Sequence, residues 1–350
     1  MLRVGIAGFG VVGKKRYHYI NENPFMDVVA ISDIRFEDDD FTYHAKKVIT
    51  DPGTKIYEDY NQLLEQNFDV LFVSLPNHLA PDATIKALNK LCHVFCEKPP
   101  GRTVKDIEDV IKVEKANPEL KLKYGFNHRY HGSVEKAKEI IDTCEYGEIV
   151  NFRGVYGKSS IVPFSGGWRC ERKYSGGGIL LDQGIHMLDM LLFFHGEFSG
   201  VHSYISNKFW HHDVEDNAFA ILRDDKGVLA SINSSATQWQ HRFRLEIALE
   251  KGSLELSGIL SGSKSYGEEK LKIIPREGES LKGAKRETTL SYLEDNSWRD
   301  EVNEFASAII NNNPIVNGCS KDALNVMKLV YNIYYADEEW RKINKIKKPD

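Results

Sequence analysis

The start of the chain constrains its fold more than any other stretch. Leu2–Ala7 is a short apolar run, and Gly8-Phe9-Gly10-Val11-Val12-Gly13 follows it directly. A strand that ends in GxGxxG and opens a helix is the dinucleotide-binding fingerprint. The first glycine permits a tight turn, the second lets the backbone approach a pyrophosphate, and the third lets helix pack on strand. The helix N-terminus then turns its orphan N–H groups towards the phosphates. Asp27–Ser32, rich in Val and Ile, reads as a second strand. Asp33 ends it, 20 residues past Gly13, where a carboxylate can accept from a ribose hydroxyl. That carboxylate favours NAD, because it would repel the 2′-phosphate of NADP. Arg35, two residues on, leaves NADP open.

The rest of the first third continues the alternation. Asp69–Ser74, Leu91–Cys96 and Leu122–Phe126 are apolar runs of strand length, and Ala80–Asn89 has helical spacing. Thr103 begins another helix with Asp106 three residues on, a partial capping box. Continuous apolar strands separated by helices predict a parallel sheet covered on both faces. From Glu148 the pattern changes to strict alternation. Phe243, Leu245, Ile247 and Leu249 point one way, with Arg244, Glu246 and Glu250 elsewhere. Val228, Ala230 and Ile232 repeat this, as do Leu254 and Leu256. Period two means one buried face, and the turns Asp225-Lys226-Gly227 and Lys251-Gly252 suit an antiparallel meander. Polar Ser263–Glu287 reads as a flexible excursion. Helices over Trp298–Asn311 and Ser320–Lys342 close the chain.

A chain of 350 residues exceeds one typical core. The fold class expected is α/β: an N-terminal Rossmann domain over 1–124, then an α+β domain over 125–350. The second domain carries an open, mainly antiparallel sheet for substrate binding and oligomerisation.

Several partners are argued against. A net charge of −5 is not that of a nucleic-acid binder. Cys92 and Cys96 flank His93, but along a strand they would lie ~13 Å apart, too far for one metal. All five cysteines read as free thiols of a reducing compartment. His211, His212 and Asp213, with Glu215 and Asp216, read as a surface loop rather than a metal site. Met1 leads straight into the first strand and glycine turn, unlike a signal peptide. Ile179–Phe194 is apolar but carries Asp182, Gln183, His186 and Asp189, short of the ~20 apolar residues of a membrane span. The cytoplasm is the expected location, with no membrane partner.

Two segments carry candidate chemistry. Cys96-Glu97-Lys98-Pro99-Pro100 follows a strand, and ligands of open α/β sheets bind beyond the carboxyl ends of strands. Lys98 could donate there to a substrate oxygen. The second segment runs from Ser175 through Gly176, Gly177 and Gly178 into an apolar helix bearing Asp182, His186 and Asp189. At i, i+4 and i+7 these three share one face. Ile179, Leu180, Leu181, Ile185, Leu188, Leu191 and Leu192 would bury most of that helix, where ionisable groups are costly unless paired or used. Asp189 is the structural member of the three.

These motifs, with Trp168-Arg169 ahead of the glycines, Asn127-His128-Arg129 after the last Rossmann strand and Pro76-Asn77 after the fourth, give a specific likeness. The chain resembles the glucose-fructose oxidoreductase / inositol dehydrogenase (Gfo/Idh/MocA) family over nearly its whole length. The resemblance implies an NAD(P)-dependent dehydrogenase acting on a carbinol carbon of a sugar-like substrate, with Lys98, Asp182 and His186 as the catalytic group. It implies cofactor contacts from Gly8, Phe9, Gly10, Val11, Val12, Gly13, Asp33, Ile34, Leu75, Pro76, Asn77, His78, Glu97, Lys98 and Asn127. Substrate contacts would come from Lys98, Arg129, Trp168, Arg169, Asp182 and His186. A homodimer or homotetramer is implied as well. One departure is visible: members often carry a His three residues after the Asn of Pro-Asn, where this chain has Ala80, with His78 two residues earlier. A nucleotide-linked sugar is the leading substrate, a cyclitol the alternative. A non-catalytic NAD(P)-binding regulator would be expected to lack one of the catalytic three.

Overall fold

The computed structural model describes residues 1–160, 167–261, 265–276 and 287–349. The chain begins β1 (Leu2–Ala7), α1 (Val11–Glu22), β2 (Met26–Ser32), α2 (Asp39–Lys46), β3 (Lys55–Tyr57), α3 (Tyr60–Leu64), β4 (Val70–Val73) and α4 (Ala80–Asn89). It continues β5 (His93–Glu97), α5 (Val104–Ala116), β6 (Leu122–Gly125), α6 (Gly132–Asp142), β7 (Ile149–Ser159), α7 (Arg172–Ser175), α8 (Ile185–Phe194), β8 (Gly200–Ser206) and β9 (Asn217–Arg223). The rest is β10 (Leu229–Gln238), β11 (Arg242–Leu249), β12 (Gly252–Ser257), β13 (Glu269–Pro275), β14 (Thr288–Tyr292), α9 (Ser297–Ile310), α10 (Ser320–Ala336) and α11 (Glu338–Asn344). Two compact units result. The first holds Met1–Phe126, Lys173–Gly176 and Trp298–Leu324, and the second holds the remainder. A single cut after residue 124 leaves 298–324 with the second domain, whereas in the fold they pack with the first.

In the first unit the strands lie in the order β3-β2-β1-β4-β5-β6, every pair parallel. This is the expected parallel sheet. The strands are apolar on both sides because both faces are covered: Val70, Leu71, Phe72 and Val73 of β4 are all buried. The edge strand β3 has no apolar run to announce it; it is held by its pairing to β2. Thr103 and Asp106 form a full capping box at α5. α9 joins this unit through Val302, Phe305 and Ala306, which pack into the core of Val4, Ile6, Phe72 and Phe95. Below that core Arg16 is fully buried. Its Nε donates to Glu97 Oε1 at 2.5 Å and an Nη to Glu301 Oε2 at 2.6 Å, and its guanidinium lies 4.3 Å from the rings of both Phe95 and Trp298.

The second unit is built on a sheet ordered β14-β13-β12-β11-β7-β10-β9-β8. Its described pairs are antiparallel except β7 with β10, so the sheet is mixed and mostly antiparallel. The alternation is as read: Phe243, Leu245, Ile247, Leu249, Leu254 and Leu256 are buried. α8 lies close on β7, so close that a Cβ on Gly154 would come within 2.7 Å of the Met187 sulfur. On the outer face of β8, β9 and β10, Tyr204, Phe219, Ile221 and Leu229 stay exposed, with Tyr204 directly opposite Phe219.

Three expectations need correction. The segment Ser263–Glu287 is not only an excursion: β13 lies inside it, because Leu271 is buried against β12 while Lys270 and Lys272 turn outward. Residues 263–264 and 277–286 of that segment lie outside the described ones. The closing helix expected over Ser320–Lys342 is broken at Asp337, whose carboxylate accepts from Trp340 N to cap α11 and from Ile205 N. The apolar segment extends back beyond Ile179, through a bend at Gly176 with φ +85°, to α7. Arg172–Phe194 is long and apolar enough to cross a membrane by length and composition alone, yet 78% of its most apolar window is buried inside the fold, as in a core helix.

Candidate functional site

The first unit carries its candidate residues at the carboxyl edge of β1, β2, β4 and β5. Gly8 has φ +91°, and a Cβ there would stand 2.4 Å from the Ser74 carbonyl oxygen; glycine is required by both conformation and space. At Gly13 a Cβ would meet the Gly8 carbonyl oxygen at 2.0 Å, so α1 can sit this close to the turn only without a side chain. α1 has Gly10 as N-cap and no side-chain cap, which leaves its first N–H groups available to an anion. Val11 is exposed and Phe9 buried. Asp33 is drawn into the same turn, where its Oδ2 accepts from Phe9 N at 2.8 Å, and Ile34 beside it is exposed. These features fit a dinucleotide: a bare cradle for the pyrophosphate and a carboxylate beside it.

Two further loops leave the same edge, because β1, β4 and β5 are neighbours. Leu75, Pro76, Asn77 and His78 follow β4, while Glu97 and Lys98 end or follow β5. Asn77 Nδ2 donates to Ser175 O at 2.7 Å, and the His78 ring lies 4.8 Å from that of Tyr174. Burial and the nearby Arg102 charge hold His78 below the usual histidine range. Lys98 is half-buried, and Glu97 beside it is fixed by Arg16. Ala80, where the family pattern often has His, is the buried first residue of α4.

The second unit holds the other candidates. Leu180–Gly184 is a single π turn leading into α8, a feature frequent at functional sites. Asp182 lies in that turn and His186 in the first turn of α8. His186 is buried and stacked on His128, with ring centroids 3.7 Å apart and planes at 16°. His128 is tied in turn to Tyr156 Oη at 3.0 Å through Nε2 and to Asn127 Oδ1 at 3.3 Å through Nδ1. Asn127 is buried and donates to Ser297 Oγ. Asp182 lies 3.9 Å from the Arg169 guanidinium, which in turn covers the Trp168 ring at 4.3 Å. Burial, followed by the Asp182 charge, pushes the Tyr266 hydroxyl above its ordinary range. Tyr266 donates to Gln183 Oε1 at 3.2 Å. Asp189 lies further along α8. It closes a buried, bidentate pair with Arg129, at 2.9 Å to Nε and 2.7 Å to Nη2.

Four residues here escaped the sequence reading: His128 as the stacking partner of His186, then Tyr156, Tyr266 and Glu215. Glu215 is the sharpest correction. Instead of lying in a solvated surface loop it is fully buried, and its carboxylate accepts from Gly178 N, Leu180 N and Tyr334 Oη at 2.8, 3.0 and 2.7 Å. A Cβ on Gly178 would lie 2.1 Å from the Glu215 carbonyl oxygen. Glu215 therefore anchors the glycine run that leads to Asp182. Asp216 is buried too, accepting from Phe209 N and Trp210 N. No local pattern could reveal this, since an acidic stretch after two histidines looks solvated. Among the described residues no group of three His, Cys, Asp or Glu side chains is placed to hold a metal.

Comparison with known proteins adds to this geometry. Residues 2–126 match the oxidoreductase family with an NAD-binding Rossmann fold, and residues 134–255 match the GFO/IDH/MocA C-terminal domain. Inositol 2-dehydrogenase of Salmonella paratyphi B is 30% identical over 169 residues, which are 46% of this chain and 48% of that protein. The chain thus spans about half the length of that relative. The putative UDP-kanosamine synthase oxidoreductase subunit of Amycolatopsis mediterranei is 27% identical over 299 residues, 79% of this chain and 81% of that one. Among solved structures, levoglucosan dehydrogenase in complex with NADH and levoglucosan shares the fold with a TM-score of 0.84. It is 21% identical and covers 97% of this chain and 98% of that one.

Proposed function

Because this chain belongs to the Gfo/Idh/MocA oxidoreductase family, we propose that it is an NAD(P)-dependent dehydrogenase acting on a CH–OH group of a sugar-like substrate. The observation that carries this reading is the buried imidazole of His186, locked flat against His128 one turn after Asp182. A histidine so held is oriented to move one proton at one place. Bound nicotinamide supplies the hydride chemistry, and the side chains do the rest. Lys98 orients and polarises the substrate oxygen. His186 takes the hydroxyl proton in oxidation and returns it in reduction. Asp182 stabilises the charged imidazole or holds a neighbouring hydroxyl, with Arg169 and Trp168 beside it. Arg129 acts through Asp189, fixing α8. His186→Ala and Lys98→Ala should each lower kcat ~10²-fold or more, the usual scale for lost acid–base help. Near-normal turnover of either variant in a nicotinamide absorbance assay overturns the assignment.

Two substrate classes divide the reading. The Salmonella relative is named for a cyclitol, and the Amycolatopsis relative, which spans more of this chain, for a nucleotide-linked sugar. We favour the nucleotide-linked sugar. Turnover with cyclitols and none with any sugar nucleotide would reverse that order. We also infer a homodimer or homotetramer in a reducing cytoplasm, joined through the outer face of β8–β10. Tyr204, Phe219, Ile221 and Leu229 form an apolar patch there, and such patches usually mark interfaces. A monomer by sedimentation at micromolar concentration would exclude it.

A further inference from the structure

The ring on which His186 lies is held by a directed chain of hydrogen bonds, all of it within the second unit. Ser297 Oγ donates to Asp295 Oδ1 at 2.6 Å. Its one proton is thereby committed, so the same oxygen accepts from Asn127 Nδ2 at 3.1 Å. That contact decides which way the Asn127 amide points, and the Asn127 Oδ1 then faces His128 Nδ1 at 3.3 Å. An amide oxygen can only accept, so Nδ1 of His128 carries a proton. On the other side of the ring, Nε2 meets Tyr156 Oη at 3.0 Å. Burial first, then the charges of Tyr266 and Asp182, push the Tyr156 hydroxyl well above its ordinary range. Tyr156 therefore keeps its proton and can donate it to Nε2.

The surroundings disfavour a positive charge on His128. Both rings are buried, and two cationic rings with centroids 3.7 Å apart would repel each other. The carboxylates of the neighbouring elements have partners of their own. Glu269 of β13 accepts from His131 Nδ1 at 2.7 Å and from Ser133 N at 2.8 Å, and the His131 ring stands edge-on to His128 at 5.4 Å. Asp189 of α8 is held by Arg129, and Asp182 lies 3.9 Å from the Arg169 guanidinium. Tyr266, which donates to Gln183, stands edge-on to Tyr156 at 5.3 Å. From β11 comes Phe243, which carries no charge.

We propose that His128 is a positioning residue, held neutral with its proton on Nδ1, that backs His186 and leaves His186 as the ring of the pair that exchanges a proton. The proposal rests on the role assigned to His186 above. Asp295, Ser297 and Asn127 set the polarity of the chain, and Tyr156 closes it. Histidine-ring nitrogen–proton correlation NMR tests it on the full chain labelled with nitrogen-15 histidine. The pH is lowered from about 9 to about 6, the range in which imidazoles gain their proton, and His128→Phe and His186→Ala assign the signals. His186 should take up its proton first, while His128 keeps the signature of a neutral ring protonated on Nδ1. Tyr156→Phe removes the donor that stabilises neutral Nε2. His128 should then titrate within this range and push the His186 step to lower pH, as in a coupled pair. Asn127→Asp puts a carboxylate at Nδ1 and should charge His128 at neutral pH; it covers the case in which Tyr156→Phe does not fold. A ring that merely filled space would titrate alike in the wild type and both variants. His128 protonating before His186 in the wild type, a neutral His128 with its proton on Nε2, or ring titrations unmoved by both variants overturns the proposal. The catalytic reading of His186 fails on a different result, the near-normal turnover of His186→Ala.

Discussion

Asp189 and Asp33 each receive an arginine in the same bidentate geometry. Arg129 donates to Asp189 at 2.9 and 2.7 Å, and Arg35 donates to Asp33 at 2.8 and 2.7 Å. The surroundings differ. Arg129 and Asp189 are 4% and 0% exposed, whereas Arg35 and Asp33 are 51% and 8% exposed. The first pair is buried, with Asp189 on α8 and Arg129 also lying 4.9 Å from the Phe193 ring. The second has one partner in water and stands beside a glycine cradle, so a ligand can enter the exchange. Like hydrogen bonds thus make a buried tie in one place and a half-open pair in the other. The difference lies in how much solvent each pair has lost, which sets the cost of removing a partner.

The largest expected effect breaks the buried pair. Asp189→Ala strands the Arg129 guanidinium in the core and should cost ~3–5 kcal/mol of stability by denaturant titration. A loss under ~1 kcal/mol would mean that water reaches Arg129 and that the two pairs are alike after all. The activity losses expected for His186→Ala and Lys98→Ala come next, since neither disturbs either arginine pair. The half-exposed pair gives the smallest effect. Asp33→Ala should cost about 1 kcal/mol, because Arg35 can turn to solvent. This term also has a pH signature. Burial tends to raise the Asp33 carboxyl, but hydrogen bonds from Arg35 and Phe9 outweigh it and hold it below its ordinary value. A lowered acid stabilises the fold above its unfolded pKa of ~3.9 and loses that contribution as pH falls through the folded value. Wild type and Asp33→Ala should therefore converge in stability on acidification below about pH 4. Curves that stay parallel there would show that the Asp33 bonds contribute nothing.

A buried charge cluster in the first unit extends the contrast. Arg16 is shared by Glu97 and Glu301, both of which need its one positive charge. Burial first, and the neighbouring Glu97 charge, push the Glu301 carboxyl up to about 7 against the pull of Arg16 and Lys123. Glu97 adjoins Lys98, so this cluster fixes the backbone that presents the proposed catalytic lysine.

Much of the site could be read along the chain. The glycine turn, the carboxylate 20 residues beyond it and the Thr103–Asp106 cap are each decided within a few residues or by one regular repeat, whereas the π turn at Asp182 was not. Glu215 could not be read, because the glycine run that it anchors lies 35–37 residues away and its own neighbours look like loop. The stacking of His128 on His186 was hidden for the same reason, as was Tyr266, which sits next to residues of no regular pattern.

By itself, the sequence determined what depends on local spacing: a parallel α/β unit with a dinucleotide turn, followed by strands with one apolar face. Tertiary structure alone decided which charges lost their water. It returned residues 298–324 to the first core, buried Asp189 of α8 with Arg129, and left Arg35 half in solvent beside Gly10. Exposure is a property of segments brought together from distant parts of the chain, and no short-range pattern encodes it.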